Sequence, residues 1–158
     1  MQNKNNAVEL IKKFQQLFTN LNHKEIAERL VKLVVAKAVI SRAVLVVERD
    51  SHLYVEAIAS QQDSELLVNG ITTSLNRLNY LPHQHIHQVF DSGKPQSLDS
   101  VQIQLLGAMF TQKGCKACYL HPILENDKTI AVFYMEAEQG LAQLIQSVNE
   151  LDSVWTFS

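Results

Sequence analysis

Two groups of residues in this 158-residue chain are of types that do chemistry, a cysteine pair and a histidine cluster. Cys115 and Cys118 form a CxxC pair, a spacing found both in redox-active dithiols and in zinc sites. The pair lies at the start of a predicted strand, where residues three apart point to opposite faces. The sequence contains no second CxxC pair. We therefore expect structural cysteines, with metal binding or redox chemistry as the alternative.

The histidine cluster comprises His83, His85 and His87, directly after Pro82. On a helix, His83 and His87 lie one turn apart on the same side, whereas His85 points elsewhere. Such a pair can bind zinc or haem iron. A third ligand is available only if the strand bearing His121 meets this helix. The sequence therefore favours a solvent-exposed helix start, and we assign no metal site.

The composition, the net charge and the absence of known motifs exclude several classes of protein. Hydrophobic residues make up 46% and charged residues 19% of the chain, which is typical of a folded domain and not of a disordered one. A formal net charge of −2 is unlike that of a dedicated nucleic-acid-binding protein. Two cysteines are too few for a disulfide scaffold. The GxSxG, HExxH, Walker A, GxGxxG and zinc-deaminase motifs are all absent from the sequence.

The periodicity of the apolar residues predicts which elements position these side chains. Amphipathic helices are predicted at 7–21, 22–39 and 141–155, and a further helix from Pro82 to Ser92. Asp99 or Ser100 is predicted to cap one more helix, ending near Gly114. Runs of β-forming residues predict six strands, at 42–48, 53–59, 71–75, 95–98, 115–124 and 129–137. The first two strands and the last two form hairpins, which predicts an α+β domain on an antiparallel sheet.

Four segments of this order resemble a known family. They are IAERLVKLVVAKAVISRAVLVVERD, LPHQHIHQVFDSGKPQSLDS, CKACYLHPILENDKTIAVFYMEA and the terminal helix. Together they resemble the GAF domain, the small-molecule-binding sensor module of bacterial signalling proteins, over about residues 20–157. The third segment is the most specific, because a strand ending in Pro-Ile-Leu, a polar turn and a strand ending near a glutamate are characteristic of that family.

The resemblance implies a GAF-like central antiparallel sheet with the N- and C-terminal helices packed on one face and a ligand cavity on the other. It divides the chain into a helix at 1–21 and a GAF domain at 22–158. The helix at 1–21 either packs on its own domain or pairs with a second subunit. From the cavity face we predict six ligand-binding residues, which are Cys118, Leu120, Tyr134, Glu136, Asp99 and His87.

Relatives of this family also indicate which ligands fit the chain poorly. Cys118 lies four residues before Pro122, where nitric-oxide-sensing GAF domains supply a cysteine to a mononuclear iron site. Asp99 and Glu136 are carboxylates that could join it, but no second suitable aspartate and no matching arginine is evident. The Asn-Lys-x-Phe signature of cyclic-nucleotide-binding relatives and the Cys-His pair that anchors bilin are absent from the sequence. The cofactor is therefore left unassigned.

We expect a non-catalytic sensor that binds a small molecule and signals, as a cytoplasmic homodimer, to a kinase or transcription activator in the same or a partner chain. No membrane span is expected, because the longest apolar run is interrupted by Lys37 and Arg42. One alternative is a GAF-fold reductase of free methionine sulfoxide that uses Cys118 and Cys115, although such enzymes normally have three cysteines. Another is a ligand-free dimerisation module. Whether the chain stands alone or is one domain of a longer protein is left open.

Overall fold

The computed structural model describes residues 23–35, 39–60, 73–78, 81–106 and 114–151. The predicted helix at 7–21 lies outside these residues. So do residues 152–155 of the predicted terminal helix and residues 107–113 of the helix predicted to end near Gly114. No helix within the described ranges is long and apolar enough to cross a membrane.

Four α-helices and six strands are present in the part of the chain that is described. The helices are α1 (His23–Val35), α2 (His83–Ser92), α3 (Ser100–Leu105) and α4 (Leu141–Glu150), with a short 3₁₀ helix at Leu75–Arg77. The strands are β1 (Ile40–Arg49), β2 (His52–Ser60), β3 (Thr73–Ser74), β4 (Gln96–Leu98), β5 (Ala117–Glu125) and β6 (Lys128–Ala137).

The six strands form a single sheet in the order β3-β2-β1-β6-β5-β4, and every neighbouring pair is antiparallel. Two-residue turns close both predicted hairpins, β1–β2 at Asp50-Ser51 and β5–β6 at Asn126-Asp127. All four turn residues have positive φ, between 51° and 66°, as a type I′ turn requires. These tight turns fix the register of each hairpin and so determine which side chains share a face.

The two faces of the sheet are covered by different helices. On the rear face, Leu30 of α1 and Leu144 of α4 pack with Phe133 and Met135 of β6 in one buried apolar cluster. On the front face, Ile86 of α2 and Ile103 of α3 pack with a second cluster that contains Tyr134. The fold class predicted from the sequence is therefore confirmed, because the first and last described helices lie on the same face of an antiparallel sheet.

Candidate functional site

A row of polar side chains crosses three strands on the front face. Arg42 of β1 and Cys118 of β5 both lie directly opposite Glu136 of β6. Side chains at opposed positions of neighbouring strands project from the same face. Tyr134 joins the row because it precedes Glu136 by two residues on the same strand. The sheet register thus brings an arginine, a glutamate, a tyrosine and a cysteine together.

These side chains form a continuous chain of contacts. Arg42 Nη2 donates to Glu136 Oε2 over 2.5 Å, and Tyr134 Oη donates to the same oxygen over 2.6 Å. Tyr134 Oη also lies 3.3 Å from Cys118 Sγ. The Arg42 guanidinium carbon lies 6.0 Å from the centre of the Tyr134 ring, within the range of a cation–π interaction. Each polar group therefore has a partner inside an otherwise apolar layer.

Burial is the largest single influence on the pKa values of Arg42, Tyr134 and Glu136. The exposed fractions of the Arg42 and Glu136 side chains are 11% and 3%. Burial raises the pKa of Glu136, against the opposing effects of Arg42 and Tyr134. Burial would lower the pKa of Arg42, but attraction to Glu136 and the hydrogen bond with it prevail and raise that pKa. The pKa of the Tyr134 hydroxyl lies well above its usual value, through burial first and then the nearby Glu136 charge.

The second cysteine also reaches this cluster, which corrects a prediction from the sequence. Cys115 Sγ lies 3.7 Å from Cys118 Sγ, so the two thiols do not point to opposite faces of the sheet. The reason is that β5 begins only at Ala117, which leaves Cys115 in the irregular segment before the strand. Gly114, whose φ of 87° suits glycine, turns the chain there, and Cys115 Sγ lies 3.5 Å from the Ala117 carbonyl oxygen.

The two thiols differ in exposure, and a difference in reactivity follows. Cys115 is partly exposed, whereas Cys118 is fully buried. The contact with Cys118 lowers the pKa of Cys115, while the same contact and burial raise the pKa of Cys118. We expect iodoacetamide to modify Cys115 at least tenfold faster than Cys118 in the native protein. Peptide mass spectrometry of partly alkylated protein measures both rates, and the denatured protein is the control. Equal native rates would contradict this arrangement.

Of the six residues predicted for the site, four lie together and two do not. Cys118, Tyr134 and Glu136 belong to the polar cluster, and Leu120 packs beside them in the front-face core. Asp99 and His87 are exposed. The Asp99 carboxylate instead accepts a hydrogen bond of 2.9 Å from the Gln102 backbone amide and caps α3.

The position of Asp99 leads to a prediction about stability. Replacing Asp99 with alanine removes the α3 cap, so we expect the free energy of unfolding to fall by about 1 kcal/mol. Urea denaturation measures this loss. Asp99→Asn is the matched control, because an asparagine can still accept the capping hydrogen bond. A loss in Asp99→Asn as large as that in Asp99→Ala would show that the carboxylate charge has a role beyond capping.

The other histidines of α2 also have partners outside the cluster. His83 Nε2 hydrogen bonds with the Leu78 carbonyl oxygen, and His85 Nδ1 lies 3.0 Å from Gln96 Oε1. These contacts tie the start of α2 to the segments beside it.

Sequence reasoning missed Arg42 and the contact made by Cys115. Arg42 and Lys37 are the two charged residues that interrupt the longest apolar run of the sequence, and in the sequence alone they count only against a membrane span. An arginine at an inward-facing position of a buried strand indicates a buried partner, which is Glu136 here. The arginine is visible in the sequence, but Glu136, its partner, lies 94 residues further along the chain.

The cluster combines three kinds of chemical capability. Arg42 and Tyr134 are hydrogen-bond donors that suit an anionic or carbonyl group. The two thiols are close enough to form a disulfide and so to act as a two-electron reductant. The donor atoms of Cys115, Cys118 and Glu136 all lie within 4.8 Å of one another, which is near enough for three ligands of one metal ion.

No protein-family model matches the chain, and no curated protein matches it significantly. Solved structures do. The A. aeolicus nlh2 GAF domain in an inactive state aligns at 12% identity with a TM-score of 0.59, over 97% of this chain and 90% of that one.

Two further structures also align with this chain. The phycoerythrobilin-bound GAF domain of a cyanobacterial phytochrome aligns at 12% identity and a TM-score of 0.57, over 96% of this chain and 91% of that one. The type II free methionine-R-sulfoxide reductase of Thermoplasma acidophilum aligns at 10% identity and a TM-score of 0.55, over 83% and 91%. Agreement over nearly the full length of each shows that the chain has a GAF-like fold.

Proposed function

We propose that this chain is a regulatory sensor domain that binds a small molecule on the front face of its sheet. The observation that carries the proposal is the buried Arg42–Glu136–Tyr134–Cys118 cluster. Burying an arginine and a glutamate costs solvation energy that an apolar pair would not. Such a cluster in an apolar layer is typical of a ligand site, where a few polar groups fix the orientation of the ligand.

A route from this face to a signalling output is supported by the fold. Strands β1 and β6 carry Arg42, Tyr134 and Glu136 on the front face, and their alternate residues pack against α1 and α4 on the rear. A ligand that binds one arrangement of these strands more tightly than another shifts the equilibrium of the helices as well. We propose that α1 and α4 transmit this shift, within a cytoplasmic homodimer, to a kinase or transcription activator in the same or a partner chain.

Native mass spectrometry of protein purified without denaturation tests the proposal. We expect a mass per chain above the 17.9 kDa of the bare chain, in the monomer or the dimer, and this excess per chain should disappear on denaturation. Tyr134→Phe should reduce ligand retention at least tenfold, because the ligand loses a buried hydrogen-bond partner. Tyr119→Phe is the matched control, since Tyr119 packs with the rear cluster. Equal retention in both variants would place the ligand elsewhere. A dimer of bare mass would favour the ligand-free dimerisation module.

One observation favours a second function, reduction of free methionine sulfoxide. This observation is that the thiols of Cys115 and Cys118 lie 3.7 Å apart. In addition, one of the solved structures with a similar fold is a free methionine-R-sulfoxide reductase. The two thiols would supply two electrons and two protons, and the products would be methionine, water and a Cys115–Cys118 disulfide. A dithiol reductant would then restore the thiols. If the wild-type protein turns over free methionine sulfoxide and Cys118→Ser abolishes this activity, the reductase replaces the sensor proposal. If the wild-type protein shows no more turnover than Cys118→Ser, the sensor proposal is supported.

A further inference from the structure

The two thiols and the Glu136 carboxylate lie close enough together to be ligands of one metal ion. The donor atoms of Cys115, Cys118 and Glu136 lie within 4.8 Å of one another. In a tetrahedral zinc site with Zn–S bonds of about 2.3 Å, two thiolate sulfurs are separated by about 3.8 Å. The observed Sγ–Sγ distance is 3.7 Å. The cysteine pair therefore already has the spacing of one edge of such a site.

Two hydrogen bonds fix the position of the Glu136 carboxylate. Arg42 and Tyr134 both donate to the same oxygen, Oε2, and hold the group in place. Neither of these two hydrogen bonds is made to the second carboxylate oxygen, Oε1. Metal-binding carboxylates are commonly held by hydrogen bonds of this kind. Arg42 and Tyr134 would thus act as positioning residues and not as ligands.

The charges of the cluster also balance around a divalent cation. Two thiolates and one carboxylate carry three negative charges, which a divalent metal and the Arg42 guanidinium would neutralise together. Thiolate donors select zinc-like metals over magnesium or calcium. Three protein ligands leave one position of a tetrahedron for an exchangeable ligand. The cluster is reachable, since Cys115 is only partly buried.

We propose that Cys115, Cys118 and Glu136 bind a divalent cation of the zinc class, with the fourth coordination position open to an exchangeable ligand. This site goes beyond the proposed sensor role and does not depend on it, because metal binding at these residues is measured without any signalling output or organic ligand.

Titration of the reduced, metal-free full chain with Co²⁺, followed by displacement with Zn²⁺, tests the site. We expect one Co²⁺ per chain, with thiolate-to-cobalt charge-transfer absorption and the visible bands of a tetrahedral ion. The whole chain contains two cysteines, so this absorption can come only from Cys115 and Cys118. Bound Co²⁺ without charge-transfer absorption, or no binding, would overturn the proposal. Retention of Co²⁺ against excess Zn²⁺ would overturn the zinc-class assignment.

Variants then identify each ligand. Cys115→Ser and Glu136→Gln should each weaken Co²⁺ binding at least tenfold, and Tyr134→Phe should weaken it by about tenfold through loss of positioning. The control variant His83→Gln/His87→Gln should bind as the wild-type chain does, and loss of binding there would instead assign the metal to the histidines. Circular dichroism checks that each variant folds. If Glu136→Gln does not fold, the wild-type spectrum and Cys115→Ser, at a partly exposed position, still decide the outcome.

Discussion

Replacing Arg42 with methionine should lower the free energy of unfolding by about 3 to 5 kcal/mol. The Glu136 carboxylate is 3% exposed and would lose the cation that compensates its charge, while keeping only the hydrogen bond from Tyr134. A buried carboxylate without its partner is among the most costly defects that one substitution can create. Urea denaturation of the two proteins at neutral pH measures the difference.

The double variant Arg42→Met/Glu136→Leu is the control for this prediction. It replaces both charges with apolar groups, and we expect it to recover most of the stability that Arg42→Met loses. If the double variant regains this stability but binds no ligand, the ion pair serves ligand binding and not stability. A loss below about 1 kcal/mol in Arg42→Met would show that Glu136 is not held as a buried charge, since exposed ion pairs contribute that little.

Substitutions at the neighbouring residues Phe133 and Tyr134 should separate an effect on stability from an effect on ligand binding. Phe133 is fully buried among the helices of the rear face, so we expect Phe133→Ala to cost about 3 to 5 kcal/mol. Tyr134→Phe removes one hydroxyl on the front face and should cost about 1 to 2 kcal/mol. Only the second substitution should reduce the ligand that co-purifies with the protein. Urea denaturation and native mass spectrometry of both variants measure the two quantities.

Phe133→Leu is the matched control, because it keeps an apolar side chain at the rear position. It should lose less stability than Phe133→Ala and retain the ligand fully. Loss of ligand in a folded Phe133→Leu variant, with retention in Tyr134→Phe, would reverse the assignment of the two faces. The prediction thus uses the alternation of side chains along β6 to separate packing from recognition.

The parts of the fold that follow from local patterns could be predicted from the sequence. The run that ends in Pro-Ile-Leu, the Asn-Asp turn and the apolar run after it form β5 and β6, within about two residues of the predicted bounds. Gly93, at a φ of 67°, ends α2 where the sequence indicated. In each case a turn or capping residue lies beside the element that it limits, so the signal and the structure are local.

The candidate site was only partly predictable because its contacts join distant strands. The alternation along β5 and β6 placed Cys118, Tyr134 and Glu136 on one face. The pairing of β1 with β6, which brings Arg42 opposite Glu136, depends on a register that a single sequence does not show. The approach of Cys115 to Cys118 depends on where β5 begins, and strand bounds are uncertain by a few residues in any prediction from sequence.

Asp99 and His87 show a different limit. We predict both for the site because the segments that carry them are expected to cover the front face. An element that covers a face presents only some of its side chains to that face. Asp99 serves as a helix cap, as the sequence also indicated, and His87 lies on the exposed side of α2. Their place in the site stays a prediction, which the binding properties of Asp99→Ala and His87→Gln would check.

A crystal structure of the protein purified from its cells without denaturation would test most directly whether the front face binds a small-molecule ligand. We predict electron density for a small molecule in contact with the Arg42 guanidinium or the Tyr134 hydroxyl, on the side of the sheet away from α1 and α4. Density for the ligand on the rear face, between the sheet and α1 and α4, or no density other than solvent beside those two groups, would contradict this prediction.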